Sequence, residues 1–167
     1  LMPQEPQETR RVEAALSDLF RHWGYDEVVT PVIEYLDTLT IGNGRCLEPQ
    51  MFKLLAKDNR TLALRHEMTT PIARLVASRM KEEALPLKLS YISNVFRSEQ
   101  AQAGRQCEIN QGGVELVGTN AVAADAEIIA LAIEGIKAAG LADFQVCLGQ
   151  VDFINGMMRQ LHFTKSQ

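Results

Sequence analysis

NVFRSEQAQAGRQCEINQGGVELVG, residues Asn94 to Gly118, is the stretch whose reading decides the fold. It opens as the end of a strand at Phe96-Arg97, crosses a polar Gln/Ala/Gly segment containing Gly104-Arg105, and returns as a second run from Glu108 to Val117. The return alternates, with Gln111, Gly113, Glu115 and Val117 on one face and Gly112, Val114 and Leu116 on the other. This pattern predicts a long antiparallel hairpin with a loop of about seven to ten residues, longer than the common tight turns. Loops of that length inside compact domains are often functional. One sheet face would carry Gln111 and Glu115 around an open glycine floor at Gly113, with Arg97 at the end of the partner strand looking toward it. Polar side chains around such a floor make a small-molecule seat, although a solvated antiparallel face satisfies the same spacing.

Upstream, Pro6 to His22 predicts a helix, because Val12, Ala15, Leu16, Leu19, Phe20 and Trp23 form one apolar stripe and Gly24 supplies a stop. Glu27 to Glu34 reads as a strand interrupted by Pro31, which fits an edge or a subunit boundary. Thr40 to Pro49 reads as a loop with no phosphate-cradling Gly-Lys-Ser/Thr ending. Met51 to Leu55 and Thr61 to Leu64 read as a hairpin around Lys57-Asp58-Asn59-Arg60. Thr69 or Thr70 is expected to cap a helix with Pro71 in its first turn and Ile72, Leu75, Val76 and Met80 buried. Glu67 and Thr69 stand just before that helix, where polar side chains and free N–H groups can converge on a ligand; capping is the plainer role. His66, with no second His or Cys nearby, reads as neither ligand nor base.

Leu85 to Phe96 holds the strand that enters the hairpin. Beyond it, Asn120 is expected to cap a helix whose buried face is Val122, Ala126, Ile129, Ile133 and Ile136 and which ends at Gly140. A strand from Phe144 to Leu148 and a helix from Asp152 to about Phe163 follow. Hairpins rather than regular strand–helix–strand alternation give an α+β expectation, an antiparallel sheet flanked by helices.

The 167 residues suit a single domain, and 46% hydrophobic composition can build its core. A net charge of −4 argues against a broad nucleic-acid surface, which needs clustered Lys/Arg, but not against a local basic pocket. Cys46, Cys107 and Cys147 are scattered with no metal-ligand spacing, so no metal is expected and reduced thiols are. No run has the length of a transmembrane helix and LMPQEPQE lacks the regions of a signal peptide, so a cytoplasmic location is expected.

Taken together the chain resembles the catalytic core of class II aminoacyl-tRNA synthetases, specifically the histidyl branch. Helix one with the Pro31 strand is similar to the class's first motif, which implies self-association as a dimer through those elements. Phe96-Arg97-Ser98-Glu99 with the loop and return strand resembles the second motif. Leu64-Arg65-His66-Glu67-Met68-Thr69 resembles the histidyl LRPE-x-T element. The resemblance places Gln111 and Glu115 where the family holds histidine. It implies a seat of Glu67, Thr69, Arg97, Gln111 and Glu115, in which Arg97 meets the ligand carboxylate, Glu67 or Glu115 its ammonium or imidazole, and Gln111 a remaining proton.

Two departures move the reading. The synthetases usually read LRPEGTA where this chain reads LRHEMTTPIAR, and MTTPIAR with FKLL and SYISNVFR resembles the synthetase-like regulatory subunits of ATP phosphoribosyltransferase. The second-motif loop usually reads ERPQ-x-GR-x-R; here Gln100 and Cys107 stand at loop positions where arginines are expected, and Arg105 remains as a possible phosphate contact. Each lost charge-assisted contact is worth roughly 1.5–3 kcal/mol, which weakens a triphosphate site more than an amino-acid site. The resemblance thus implies a non-catalytic regulatory subunit of a glycosyltransferase complex in the first step of histidine biosynthesis. Its partner would be the short-form catalytic subunit and its effector L-histidine, with no cofactor, no tRNA and no catalytic residue. A histidyl-tRNA synthetase core that forms histidyl-adenylate, with Arg97 on the α-phosphate, and a scaffold with a dead pocket are the alternatives. The class's third motif is absent, so the domain is expected to be incomplete at its C-terminus.

Overall fold

A computed structural model of the chain describes residues 5–41, 44–98 and 106–161. Its centre is the expected hairpin. Strands β5 (Leu87–Phe96) and β6 (Glu108–Val117) pair antiparallel along their whole length, from Leu87 opposite Val117 to Phe96 opposite Glu108. The register sets Leu89 against Glu115, Tyr91 against Gly113 and Ser93 against Gln111. One face of the hairpin is thereby committed to each of two cores.

Helix α1 (Glu5–His22) begins one residue before the expected start. Its end is a left-handed glycine: Gly24 has φ +80°, its N–H reaches Arg21 O at 3.0 Å, and the Tyr25 N–H reaches Phe20 O at 3.0 Å. These are the paired bonds of a Schellman end. A Cβ at Gly24 would meet nothing within 4 Å, so Gly24→Ala costs only conformational strain. Urea unfolding should show a loss of about 1–2 kcal/mol with an unchanged m-value.

The segment from Glu27 to Glu34 is not one strand. β1 (Asp26–Glu27) runs parallel to β5, while β2 (Ile33–Tyr35) pairs antiparallel with β4 (Thr61–Leu64), which also pairs with β3 (Lys53–Leu55). Pro31 lies in the break between two sheets, ordered β1-β5-β6 and β2-β4-β3, and each half of the segment is an edge. The first sheet is consequently mixed rather than wholly antiparallel. The β3–β4 hairpin forms as expected, with Asn59 in its turn at φ +63°.

The expected loop from Thr40 to Pro49 is largely helical. The single turn α2 (Leu36–Leu39) ends just before it, and α3 (Gly44–Leu47) and a 3₁₀ turn (Glu48–Gln50) occupy its second half. Burial of Leu39 and Met51 against Ala63 of β4 holds it in place, a tertiary pull that the glycines and proline did not advertise.

Helix α4 (Thr69–Arg79) covers one face of the first sheet, where Met68 and Ile72 pack with Leu87, Leu89, Tyr91 and Val95. Helices α1 and α5 (Val122–Ala138) cover the other, where Phe20, Tyr25 and Leu131 pack with Leu16, Leu19, Val114 and Leu116. The stripe expected to be buried on α5 is only partly so: Val122 is 83% exposed and Ala126 is exposed, Ile129, Ile133 and Ile136 are half-buried, and the fully buried residues are Leu131 and Gly135. Gly135 lies on the side that faces α1, where a Cβ would make close contact with Leu16 Cδ2 at 3.4 Å and Leu19 Cδ2 at 3.9 Å. Helix α5 starts from Ala121 rather than Asn120, with the Thr119 hydroxyl accepting the Ala121 N–H at 3.2 Å. It ends in the same glycine motif as α1, at Gly140 with φ +100°.

Residues 144–148 form no strand and have no ladder partner among the described residues. Val146 and Leu148 instead share a shallow cleft with Ile129 and Ile133 on the outer side of α5. The last described helix, α6 (Val151–Gln160), is capped by Gln150, whose side-chain oxygen accepts the Phe153 N–H at 2.7 Å, and it buries no residue. No helix among the described residues is long and apolar enough to cross a membrane.

Candidate functional site

The connection from β4 to α4, Arg65 to Met68, and the first residue of α4, Thr69, lie across the face of the hairpin that carries the odd-numbered residues of β6. Arg65 fixes the connection. Its buried guanidinium donates to Asn94 O at 2.9 Å and to Thr30 O at 2.7 Å, while its own N–H reaches Val32 O and its carbonyl accepts the Phe96 N–H. His66, Glu67 and Thr69 are then delivered to the hairpin face in a set order.

Glu67, rather than either threonine, caps α4. Its two carboxylate oxygens accept the Thr70 N–H at 3.0 and 3.2 Å, and Met68 is the residue at the cap position. That leaves the Thr69 hydroxyl free to cross to β6, where it donates to Glu115 Oε1 at 2.7 Å.

Gly113 is not an open floor. A Cβ at that position would stand 2.6 Å from the Tyr91 oxygen and 2.8 Å from its Cζ, so the phenol lies directly over the glycine. Gln111 Nε2 donates to the Tyr91 oxygen at 3.4 Å, and Gln111 Oε1 is buried without a partner. Gly113→Ala would drive the ring off a well-packed position, since Tyr91 is itself a core residue. The expected loss is about 1–3 kcal/mol of unfolding free energy, read from thermal melts.

Arg97 stands at the end of β5. Its Nε donates to the His66 carbonyl at 3.1 Å and its N–H to Cys107 O at 2.8 Å. His66 is 3% exposed, and its Nδ1 has no partner.

The electrostatics follow from burial around two carboxylates. Desolvation raises the Glu115 carboxyl pKa, the Thr69 hydrogen bond pulls it partly back, and the nearby Glu67 charge raises it further. Desolvation, then Glu115 and Glu67, push the Tyr91 phenol up to about 12. Burial pushes the His66 imidazole down against the attraction of Glu67, and Arg97 adds to the depression, so the ring is neutral at physiological pH. Neither Glu67 nor Glu115 forms an ion pair among the described residues.

Of the residues expected in a ligand seat, Glu67, Thr69, Gln111 and Glu115 meet on this face, with Arg97 joined to them through His66. Arg105 lies outside the described residues. Tyr91 escaped the sequence reading, which has His66 as neither ligand nor base. An aromatic paired in register with a glycine was the available signal for Tyr91; for His66 the burial is visible only in the fold. No cluster of His, Cys, Asp or Glu among the described residues could hold a metal ion. A cleft of about 440 Å³ opens on the opposite face, between α1, α5 and β6, but Leu16, Phe20, Val114, Ile128 and Leu131 line it and it offers no charged group.

The histidyl-tRNA synthetase family model matches residues 1–167. Among curated proteins the chain is 47% identical, over 96% of its own length, to the ATP phosphoribosyltransferase regulatory subunit of Moorella thermoacetica. It is 41% identical over 89% of its length to that of Bacillus subtilis. It spans 41% and 38% of those two relatives, about two-fifths of each. Among solved structures it resembles an ATP phosphoribosyltransferase regulatory subunit/histidyl-tRNA synthetase from Bacillus halodurans, with a TM-score of 0.87 at 39% identity over 95% of this chain and 41% of that one. The histidyl-tRNA synthetase of a Nostoc species shares the fold at a TM-score of 0.83 and 20% identity, covering 99% of this chain and 39% of that one.

Proposed function

The chain belongs to the histidyl-tRNA synthetase family, and from that membership we propose that it is the synthetase-like part of an ATP phosphoribosyltransferase regulatory subunit. In this reading it is non-catalytic, works in the cytoplasm beside the short-form catalytic subunit, and carries an L-histidine seat through which feedback is exerted. The observation that carries the reading is the seat itself: Thr69 on Glu115 at 2.7 Å, Tyr91 over Gly113, and Gln111 with an unpartnered oxygen. The relatives' shared name supports the regulatory assignment. Histidine would bind one state of the assembly better than the other and shift its population, a coupling of roughly 1–3 kcal/mol.

Calorimetric titration of the intact protein with L-histidine, with ATP, and with both, together with pyrophosphate exchange, tests this. Histidine binding without exchange is expected. ATP binding with exchange would mean a working synthetase, and silence toward histidine would leave a scaffold.

Self-association as a dimer is proposed through α1 and the Pro31 segment, together with the second sheet that this segment enters as β2. Ile33, Tyr35 and Leu54 are exposed at 45, 38 and 43% on one face of β2-β4-β3, with the Arg60 guanidinium stacked 3.8 Å over the Tyr35 ring, a largely apolar surface with a cationic edge suited to burial against a second copy. Ile33→Asp is expected to convert dimer to monomer in sedimentation at micromolar concentration; a dimer that survives it does not use this face.

A further inference from the structure

We propose that His66 is an acid-sensitive latch on the β4–α4 connection: the connection stays docked on the hairpin while the ring is neutral, and uptake of a proton releases it together with the cap of α4. The latch acts on the fold itself, whatever the hairpin face binds.

Three consecutive residues hold this connection, and His66 is the middle one. Before it, the Arg65 guanidinium donates to Thr30 O and Asn94 O, and the Arg65 carbonyl accepts the Phe96 N–H at 2.9 Å. After it, both Glu67 oxygens accept the Thr70 N–H in the first turn of α4. The His66 carbonyl itself accepts Arg97 Nε at 3.1 Å. The backbone is thus pinned on both sides of an enclosed ring, 3% exposed, whose Nδ1 has no partner. A neutral imidazole tolerates that position, because Nδ1 can be the nitrogen without a hydrogen and only a lone pair is left unpaired. An imidazolium does not: Nδ1 then carries an N–H with no acceptor, on a ring whose charge is held out of water. Arg97 repels that charge, and the opposing attraction comes from Glu67, whose oxygens are already engaged in the cap. To charge, the ring has to reach water by opening the packing around the connection. The His66 carbonyl then leaves Arg97, Glu67 leaves Thr70, and the Thr69 hydroxyl is drawn off Glu115.

The charged and titratable groups around the connection are Arg65 and Glu67 on the connection itself, Tyr91 on β5 with Arg97 at its end, and Glu115 on β6. Both arginines stay charged throughout, and the Tyr91 phenol is pushed up to about 12. Glu115, raised by burial, takes up a proton as pH falls and has the opposite sign, stabilising the fold in acid. Burial, opposed by Glu67 and reinforced by Arg97, holds the His66 imidazole below its ordinary range. The folded protein therefore binds this proton less tightly than the unfolded chain does. The stability that His66 contributes is present above the unfolded pKa of about 6.5 and is lost as pH falls toward the lower folded value.

Urea unfolding of the intact protein at half-unit steps from pH 7.5 to 5.5 is the test, on the parent and on His66→Gln and His66→Leu, which come close to the volume and do not titrate. The unfolding equilibrium constant of the parent, divided by that of either variant, is expected to rise at least threefold between pH 7.5 and 5.5. A ring that stays neutral in the folded state throughout gives about tenfold. Glu115 and the other titrating groups are common to all three proteins and cancel in this ratio, as does any constant loss of stability that a variant brings. Hydrogen exchange over residues 66–79, corrected for its intrinsic pH dependence, reads the local event. Protection at the start of α4 is expected to fall with pH in the parent and not in the variants. A ratio that changes by less than threefold overturns the proposal, and so does an acid loss of protection that the variants share. A ratio that moves while α4 keeps its protection also overturns the latch, and leaves only a buried histidine that resists protonation.

Discussion

Replacing Arg65 with methionine is expected to remove about 3–5 kcal/mol of stability and to lower the melting temperature by roughly 10 °C or more. The guanidinium is 5% exposed and has no carboxylate partner among the described residues. Backbone oxygens hold it: Thr30 O at 2.7 Å, Asn94 O at 2.9 Å and, more distantly, Pro31 O at 3.5 Å. These oxygens belong to the crossing between the two sheets and to β5, so one cation joins three segments that share no ladder. Methionine keeps the apolar stem but leaves Thr30 O and Asn94 O without their donor, and the penalty for an orphaned buried acceptor is larger than the net worth of the bond. Lysine should recover less than half of the loss, because one ammonium on a flexible stem cannot hold two divergent carbonyls as a planar fork does. Chemical denaturation of the three proteins decides it. A methionine variant within 1 kcal/mol of the parent would show that water satisfies those carbonyls and that the crossing holds itself together.

Arg65 also marks where the sequence stops being legible. Long periodic elements could be read directly: α1, the β3–β4 hairpin, and β5 with β6, whose face assignments alternation gave while the pairing register came with the fold. The stripe of α1 is visible because it faces one core. That of α5 misled because the helix carries apolar residues on two sides, and the side that is buried, through Leu131 and Ile128, is chosen by packing against Phe20 and Tyr25. The segment around Pro31 reads as one broken strand because nothing local says that its halves enter different sheets. Phe144 to Leu148 has the composition of a strand, but a strand exists only with a partner, and among the described residues it has none. The candidate site divides in the same way. Glu67, Thr69, Arg97, Gln111 and Glu115 could be nominated from motif resemblance, and Gln111 with Glu115 from alternation as well. The cap role of Glu67, the phenol over Gly113 and the buried His66 are products of register and packing, and they change what the nominated residues can do.

Glu115→Gln should move affinity and stability in opposite directions. The glutamine oxygen can still accept the Thr69 hydroxyl, so the link from α4 to β6 survives, but the charge that would meet the ligand is gone. Loss of one charge-assisted contact predicts histidine binding weaker by roughly ten- to a hundredfold at pH 7. Stability has the other sign. Burial and the Glu67 charge hold the Glu115 carboxyl above its ordinary pKa, so the folded protein binds that proton more tightly than the unfolded chain does. Stability is then greater below the unfolded carboxyl pKa and is lost as pH rises through the folded one. At pH 7 the parent has already lost it; the variant, with nothing to ionise, has not. The ligand-free variant should melt higher than the parent at pH 7, and the gap should close as pH falls toward 4. Because Glu115 is only half buried, solvent screening keeps the gain small, so the sign and its pH dependence are the measurement. If the variant instead melts lower and the deficit does not change with pH, Glu115 is a structural residue and the seat lies elsewhere. If affinity falls while stability rises, the fold has kept an unpaired carboxylate at a cost in stability, which is what a position held for a cationic ligand requires.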